Sequence, residues 1–418
     1  MNRLAIVSNT VLSTLVLGIV LLTPLKLGAS VKKNAASHAA QFSDSLRQDS
    51  EAEAKLIRIY QLIGAGKNRQ ALLESEQLLK TQPNFQLAQL VHGDLLSSFV
   101  RPVRSPGDVP NAAANSAITA STLADLREES QLRLKALRER PPAGSLPSQF
   151  LALSPRNKHA IAVDASRSRL YLFENSSTGI KLIADYYISV GKSGIEKLIE
   201  GDQRTPVGVY FITNNLDPKT LKNFYGAGAL PINYPNPLDM RRGKTGGGIW
   251  LHGTPSEQFS RAPRATDGCV VMANTDLGRI MNTVGIRTTP VVIADKLQWV
   301  PVQSMATEGS QFSDTLQAWR KAKAKADLTT LMNFYAPDFS SYGKNLVQWT
   351  KVLSDDVSKL KGRDFSLAEL SMMRWTDKSD TMVVTFDEVP AGMKAGVTKR
   401  QYWMRDGKSW KIFFEGSI

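Results

Sequence analysis

The sequence predicts a multidomain protein with a helical N-terminal region, a mostly-β central domain and an α+β C-terminal domain. The chain has 418 residues, which is too long for one ordinary domain. Apolar residues recur at helical spacing in the first third of the chain, whereas short segments rich in Val, Ile and Tyr follow from Lys158. After Val300, helical patterns precede a run of alternating segments. Because 42% of the residues are hydrophobic and 22% are charged, we expect folded domains with sizeable cores.

The N-terminus carries an uncharged apolar segment, Leu4–Leu25, between basic residues. As a helix this segment would be about 33 Å long, enough to cross a bilayer core of roughly 30 Å. Cleavage as a signal peptide near Gly28–Ser30 is the alternative, because small residues suit a cleavage site. Leu27 suits cleavage poorly, which favours an anchor. Under either interpretation, residues 1–30 direct the rest of the chain to the periplasm or cell envelope.

Residues 45–150 are predicted to form a helical region. Apolar residues at helical spacing over 51–96, interrupted by a Gly-Ala-Gly turn and by Pro83, indicate paired helices. A Pro-rich linker, Pro102–Pro110, separates them from a charged helix at Leu123–Arg140. The paired helices resemble one tetratricopeptide-type hairpin, which would offer a surface to a protein partner. A plain helical spacer explains the pattern equally well.

The central domain is expected over residues 156–300. Short strands with one helix, Asp276–Val284, are typical of a mostly-β domain. The predicted strands are Ala160–Asp164, Leu170–Glu174, Tyr186–Val190, Val207–Thr213, Gly248–His252, Cys269–Ala273 and Pro290–Ala294.

The C-terminal domain, residues 308–418, is predicted to place helices before an antiparallel sheet. The helices are Gln311–Tyr335, which ends at an Ala-Pro-Asp interruption, and Val347–Leu360. The strands are Ser366–Trp375, Thr381–Glu388, Val397–Arg405 and Ser409–Glu415. Five aromatic residues of these strands either line a pocket or fill the core, and the core is favoured. They are Trp375, Phe386, Tyr402, Trp403 and Trp410.

The central domain carries the one cysteine of the chain, Cys269, seventeen residues after His252. A single cysteine excludes an internal disulfide, and an exported protein that keeps one free thiol usually has a chemical use for it. A thiol is a nucleophile only as the thiolate, and an imidazole within reach can take its proton. Of the four histidines, only His252 ends a predicted strand beside a glycine in the same domain. We therefore expect Cys269 and His252 to form a catalytic pair.

The neighbouring residues suit this interpretation. Gly268 lets the backbone turn sharply before the thiol, so that adjacent N–H groups can stabilise an oxyanion. Asp267 either orients groups near the thiol or is a turn residue, and the turn is favoured. The carbonyl of Gly253 can accept the second N–H of the imidazole and hold its tautomer. The scattered histidines and single thiol predict no metal site, and no cofactor is expected.

Four segments resemble, in order, those of the L,D-transpeptidase (YkuD-type) catalytic domain. They are Val190–Lys192, Thr205–Gly208, His252–Gly253 and Thr266–Cys269. The alternating C-terminal part resembles an NTF2-like domain, and the combination is similar to the Csd6 type of cell-shape proteins. The resemblance implies that Cys269 is the nucleophile, His252 the base and Gly253 the carbonyl that orients it, with Thr266, Trp250 and Arg264 as candidate substrate-binding residues.

Two departures from the family pattern affect the expected substrate contacts. Asp267 replaces a second histidine, and Val271 stands where an arginine is common. The loss of that arginine removes a contact to the substrate carboxylate, for which Arg261, Arg264 or Lys244 is the candidate replacement.

The resemblance further implies attack on the bond between the diamino acid and D-Ala in tetrapeptide stems of peptidoglycan. Transfer of the acyl group to an amine would make the protein a transpeptidase, whereas transfer to water would make it an L,D-carboxypeptidase. A non-catalytic wall-binding scaffold is the third possibility. The net charge of +14 then has a partner in the carboxylate-rich wall or in membrane phosphate. No nucleic-acid partner is expected.

Overall fold

A computed structural model of the chain describes residues 51–108, 117–360 and 362–418. The expected signal peptide or anchor at residues 1–30 lies outside these ranges. Within them, no helix has both the length and the apolar character needed to cross a membrane.

The helices of the described residues follow the predicted order, with helix α5 as an addition. They are α1 (Glu51–Gly64), α2 (Asn68–Thr81), α3 (Gln86–Ser98), α4 (Ala117–Arg138), α5 (Pro237–Arg241), α6 (Asn274–Thr283), α7 (Val302–Ala324), α8 (Leu328–Met332) and α9 (Leu346–Leu360).

The strands are short in the central domain and long in the C-terminal domain. They are β1 (Ser145–Pro147), β2 (Phe150–Ala152), β3 (His159–Asp164), β4 (Arg169–Ser176), β5 (Gly179–Tyr187), β6 (Val190–Gly191), β7 (Gly208–Phe211), β8 (Ala229–Pro231), β9 (Trp250–His252), β10 (Arg264–Thr266), β11 (Val270–Val271), β12 (Pro290–Ala294), β13 (Trp299–Pro301), β14 (Ser340–Ser341), β15 (Lys344–Asn345), β16 (Phe365–Thr376), β17 (Asp380–Pro390), β18 (Val397–Asp406) and β19 (Ser409–Ser417).

The central domain is built on a five-stranded sheet with the order β5-β4-β3-β12-β7. Both faces of this sheet are buried, and consecutive residues of β3 enter different cores. Ile161 and Val163 pack toward the three-stranded sheet β8-β9-β11 and helix α6, whereas Ala160 and Ala162 pack toward the C-terminal domain. Because each face meets an apolar layer, the strand is hydrophobic at its four inner positions, 160–163, as expected for a strand buried on both faces.

The C-terminal domain is a five-stranded antiparallel sheet, β19-β18-β17-β16-β2, covered by helices α7 and α9. All five aromatic residues predicted to fill the core are buried. Phe386, Trp403 and Trp410 lie under these helices, and Trp375 and Tyr402 lie in the cluster shared with the central domain. The long predicted helix breaks earlier than expected: α7 ends at Ala324, and Ala326 has a φ of +57°. Its neighbour Asp327 caps α8 by accepting from the N–H of Thr330. The break is therefore a capped turn rather than the later Ala-Pro-Asp segment.

Two short strands tie the N-terminal part of the chain to later elements. Strand β1 pairs with β13, and β2 is the edge strand of the C-terminal sheet. Strand β1 lies inside the range expected for the helical region, 45–150, and β2 begins at the last residue of that range. Their residues are too few to show alternation, so only tertiary pairing defines them. A second difference concerns the predicted strand Tyr186–Val190, which is divided into the end of β5 and the start of β6.

The helical region packs directly against the central domain. The core formed by α1, α2 and α3 also contains Phe259 and Ala273 of the central domain. The rings of Phe85 and Phe259 lie 4.2 Å apart between centroids. The helices are therefore part of the folded body around the central domain rather than an extended spacer.

A buried ion cluster joins the same two parts. The Glu53 carboxylate of α1 contacts Arg169 of β4 at 2.7 Å and Arg133 of α4 at 3.0 Å. Arg133 also pairs with Glu129 at 2.8 Å. Burial alone would raise the pKa of Glu53, but the two guanidinium groups outweigh it and lower the pKa to about 2. Each charge depends on its partners, because an unpaired buried charge is strongly unfavourable.

We expect the substitution Glu53→Gln to lower the free energy of unfolding by about 3–5 kcal/mol, because it leaves two buried guanidinium groups without their shared carboxylate. Glu51→Gln, which removes only the exposed ion pair with Lys55, should cost less than about 1 kcal/mol. Thermal and urea denaturation of both variants measures the difference. Since the carboxylate stabilises the fold above its ordinary pKa of 4.5, the effect of Glu53→Gln should shrink as the pH falls from there toward 2. Equal losses in the two variants at neutral pH would contradict this role.

Candidate active site

The predicted catalytic residues lie on two neighbouring parallel strands. Strand β11 pairs with β9 so that Val270 is opposite Leu251 and Val271 is opposite His252. Cys269 directly precedes β11, so it and His252 are diagonal neighbours with Cα atoms roughly 8 Å apart, given ordinary strand spacing and rise. Positions two apart on adjacent strands face the same side of a sheet. The pairing thus brings the thiol and the imidazole to one face.

The imidazole of His252 is held by the carbonyl predicted to orient it. Its Nδ1 lies 2.7 Å from the oxygen of Gly253. Because a carbonyl oxygen only accepts, Nδ1 carries the proton and Nε2 is left with a free lone pair. The rings of Phe224 and Tyr225 pack against the imidazole at centroid distances of 5.7 and 5.1 Å. Burial lowers the pKa of His252 to about 4, so the ring is neutral at physiological pH.

The thiol of Cys269 is half-buried and faces the backbone that leads into β9. Its Sγ lies 3.5 Å from the carbonyl oxygen of Gly248, and the N–H of Trp250 donates to the sulfur. Burial raises the pKa of the Cys269 thiol above its usual value, more than the Trp250 amide and nearby cations lower it. The resting pair therefore consists of a neutral thiol and a neutral imidazole and is not a thiolate–imidazolium ion pair.

Two threonine hydroxyls fix the turn before the thiol. Thr266 Oγ1 donates to the carbonyl of Cys269 at 2.7 Å and accepts from the N–H of Gly268 at 3.1 Å. Thr205 Oγ1 donates to the carbonyl of Gly268 at 2.9 Å and accepts from the N–H of Gly191 at 2.9 Å. Thr205 and Gly191 belong to the two upstream segments of the predicted motif set. These segments thus support the turn that precedes Cys269.

Gly268 has the backbone conformation that its predicted role requires. Its φ is +122°, and a Cβ at this position would lie 2.7 Å from the carbonyl oxygen of Arg204. Only glycine fits such a position without strain. The N–H of Gly268 is engaged by Thr266, so this group is not directed at an oxyanion as the sequence suggested. The role of Gly268 is the turn.

Asn274, the first residue of α6, was not predicted as a site residue. Its side chain accepts from the N–H of Ala227 at 2.8 Å and donates to the carbonyl of Thr254 at 2.8 Å. A Cβ at Gly253 would lie 2.0 Å from Asn274 Oδ1. The side-chain amide of Asn274 therefore lies where a Cβ at position 253 would be, and this is why the residue after His252 is glycine. The signal in the sequence was an asparagine shortly after the strand that follows Cys269.

The remaining predicted site residues range from exposed to fully buried. Asp267 is exposed and accepts from Lys192 and Gln203 at 3.1 and 3.3 Å, which suits a turn residue. Trp250 is half-buried, and its ring packs on Tyr225 at 4.8 Å. Thr266 is buried, and its hydroxyl is hydrogen-bonded within the turn.

The three basic residues considered as partners of the substrate carboxylate differ in whether they already form an ion pair. Lys244 is buried in an ion pair with Asp239 at 2.9 Å, and Arg264 pairs with Glu128 of α4 at 2.7 Å. Arg261 has no carboxylate within ion-pair distance among the described residues. Its guanidinium lies 4.6 Å from the centroid of the Phe224 ring.

The other described histidines are used elsewhere. His159 opens β3 opposite Glu174, and His92 makes a 2.9 Å hydrogen bond to Ser75 within the helical region. His252 is thus the described histidine that can act on the thiol. Within the same described residues, no group of three or more His, Cys, Asp or Glu side chains is arranged to hold a metal ion.

Family models match both folded parts beyond the helical region. The model described as the L,D-transpeptidase catalytic domain, YkuD, matches residues 158–293. The model described as the Cds6 C-terminal NTF2-like domain matches residues 311–416. Helices α1–α4 lie outside both matches. No protein with a curated description matches the chain.

Two solved structures are similar to this chain over about two thirds of its length. Bd1075 from Bdellovibrio bacteriovorus is 26% identical, with a TM-score of 0.56, over 66% of this chain and 98% of that chain. The helical cell shape determining protein Pgp2 from Campylobacter jejuni is 23% identical, with a TM-score of 0.51, over 65% of this chain and 95% of that chain. The latter likeness shows the fold alone. In both comparisons about a third of this chain has no counterpart.

The predicted resemblance is confirmed by these matches. The protein therefore consists of a helical N-terminal region, an L,D-transpeptidase catalytic domain of the YkuD family and a C-terminal NTF2-like domain of the Cds6 type.

Proposed function

We propose that the protein is a cell-wall enzyme that cleaves the bond between the diamino acid and D-Ala of peptidoglycan tetrapeptide stems. The nucleophile is Cys269, the base is His252, and the Gly253 carbonyl orients the base. The observation that carries the proposal is the state of His252, which is buried and neutral. Its Nδ1–H donates to the carbonyl of Gly253, so that Nε2 keeps a free lone pair on the face shared with Cys269. The match to the L,D-transpeptidase catalytic domain supplies the substrate class.

The first half-reaction follows from the neutral pair. As Sγ attacks the carbonyl carbon of the scissile amide, Nε2 of His252 takes the thiol proton, and the carbonyl oxygen becomes an oxyanion. Collapse of the tetrahedral intermediate breaks the C–N bond. The imidazolium returns its proton to the leaving nitrogen, so that D-Ala departs as an amine and the tripeptide remains as a thioester on Cys269. A base with a low pKa suits the second step, because its conjugate acid gives up the proton readily.

The second half-reaction depends on the group that attacks the thioester. Attack by an amine of a neighbouring stem forms a new amide and completes transpeptidation, which is the function we favour. Attack by water releases the tripeptide and makes the enzyme an L,D-carboxypeptidase. The shared fold with a helical cell shape determining protein supports a role of either reaction in cell shape. Both reactions require export to the periplasm or cell envelope, with residues 1–30 as the leader or inner-membrane anchor.

We expect Cys269→Ala to abolish release of D-Ala from purified tetrapeptide stems, with a loss of at least roughly 10³-fold in rate. His252→Gln should lose at least roughly 10²-fold, because the thiol keeps no group to accept its proton. His159→Gln, which removes a histidine outside the site, is the matched control and should retain the wild-type rate. Mass spectrometry with and without an added amine acceptor measures D-Ala, tripeptide and cross-linked product together.

Substantial D-Ala release by Cys269→Ala would rule out the proposed nucleophile. Cross-linked product in the presence of acceptor identifies a transpeptidase, and tripeptide alone identifies a carboxypeptidase.

The pH dependence of kcat/KM tests the neutral pair. Because His252 must be unprotonated to act as a base, activity should fall with decreasing pH only as the pH approaches about 4, the pKa that burial gives this residue. Because the pKa of the Cys269 thiol is raised above its usual value, the thiol causes no loss of activity on the acidic side of neutrality. Circular dichroism at each pH shows that the fold persists. An acidic limb centred near the ordinary histidine value of 6.5 would contradict the buried, neutral base.

A further inference from the structure

A polar cleft of about 540 Å³ lies between the helical region and the catalytic domain. Helix α4 supplies Asp125 and Glu129 to one wall. The segment 255–265 supplies Arg261 to the other, with the ring of Phe224 beside it. This volume is within the range of sites that bind small ligands. Because α4 lies outside both family matches, the helical wall is a feature that the matches do not account for.

The two walls are joined on several sides of the cleft. The N–H of Phe259 donates to the carbonyl of Asn84 at 3.2 Å, and the Asn84 amide donates to the carbonyl of Ser256 at 3.0 Å. The hydroxyl of Ser260 donates to the carboxylate of Glu129 at 2.9 Å. The Arg264–Glu128 ion pair adds a fourth link. These contacts fix the spacing of the walls, so the cleft is a formed site rather than a gap between loosely packed parts.

Arg261 is the cation of this cleft that is available to a ligand. It is half-buried and stacked on Phe224, and no carboxylate of the described residues pairs with it. Lys244 and Arg264, the other two candidates for binding a substrate carboxylate, already have carboxylate partners. A guanidinium that is partly desolvated and unpaired is well prepared for a charged hydrogen bond to a carboxylate.

The same arginine lies close to the reacting groups. Its guanidinium contacts the Phe224 ring, and that ring contacts the imidazole of His252. Its positive charge also lowers the pKa of both His252 and Cys269. A ligand carboxylate bound to Arg261 would therefore lie near the proposed catalytic pair.

The opposite wall of the cleft carries two carboxylates, those of Glu129 and Asp125. Glu129 is already bound by Arg133 and Ser260. Asp125, one helical turn earlier on the same face of α4, is exposed, and no cation pairs with it among the described residues. The cleft thus presents one unpaired cation and one unpaired anion on opposite walls. This charge arrangement fits a zwitterionic group better than it fits a simple anion.

We propose that this cleft is a substrate subsite for the side-chain end of the diamino acid, where Arg261 binds its carboxylate and Asp125 binds its ammonium group. The proposal rests on the proposed function, because that function supplies a stem with a diamino acid next to the scissile bond. Arg261 would then take the place of the arginine that Val271 replaces. The helical region would be part of the substrate site, and its charged wall would select stems that carry a zwitterion.

Isothermal titration calorimetry on the full chain carrying Cys269→Ala tests the subsite, because this background allows binding without turnover. Two tetrapeptide stems are compared: one with a diamino acid whose side chain ends in a carbon bearing both ammonium and carboxylate, and one with lysine, which lacks the carboxylate. Adding Arg261→Gln should raise Kd for the zwitterionic stem roughly tenfold or more and Kd for the lysine stem less than about twofold. Asp125→Asn should raise Kd for both stems about threefold, since both carry the ammonium group.

Lys296→Gln, which removes an exposed cation of the same domain, is the matched control and should change neither Kd. Unchanged melting temperatures show that each variant folds. The proposal is overturned if Arg261→Gln weakens both stems equally, if it behaves like Lys296→Gln, or if the zwitterionic stem does not bind at all.

The same titration separates failure of the subsite from failure of the proposed function. Binding that depends on Arg261, without D-Ala release by the chain with Cys269 intact, would overturn the function and keep the subsite. D-Ala release with no dependence of binding on Arg261 would keep the function and overturn the subsite.

Discussion

The site depends on one constraint, the parallel pairing of β11 with β9. Its register sets Val271 opposite His252 and so places Cys269 diagonally across from the imidazole. A shift of one residue would turn every side chain of β11 to the other face and separate the pair. Short strands hold register weakly by themselves, and here the threonine-bonded turn at Gly268 and the side chain of Asn274 lock the two strand ends. The chemistry therefore rests on backbone geometry more than on contacts between the two side chains.

The surrounding domains give this pair its electrostatic setting. The five-stranded sheet is covered on both faces, and the helical region closes a third side through the Glu53 ion cluster and the Phe85–Phe259 contact. Burial makes the neutral imidazole the stable form of His252, because water cannot stabilise the imidazolium. The same packing creates the cleft that contains Arg261. Under the two proposals, the protonation state of the base and the binding of the substrate both depend on the layers packed around the five-stranded sheet.

Much of the organisation was predictable from the sequence because it depends on local pattern. Helical spacing, strand alternation and the scarcity of cysteine and histidine identified the three parts of the chain, together with Cys269, His252 and Gly253. What was missed depends on tertiary contact. Strands β1 and β2 are too short to show a period, and Asn274 becomes a site residue only because α6 begins beside Gly253. The choice among Arg261, Arg264 and Lys244 required their partners. Lys244 pairs with Asp239 in helix α5, which the sequence did not predict, and Arg264 pairs with Glu128 of the distant helix α4.

The central claim is that Cys269 carries the acyl group of the stem. The most direct measurement is peptide mapping by mass spectrometry after the protein is mixed with a tetrapeptide stem and quenched in acid within the first turnover. The account predicts an adduct on Cys269 with the mass of the stem less D-Ala, formed at the rate at which D-Ala appears. Release of D-Ala while the Cys269 thiol stays unmodified throughout, or an adduct on another residue, would contradict it.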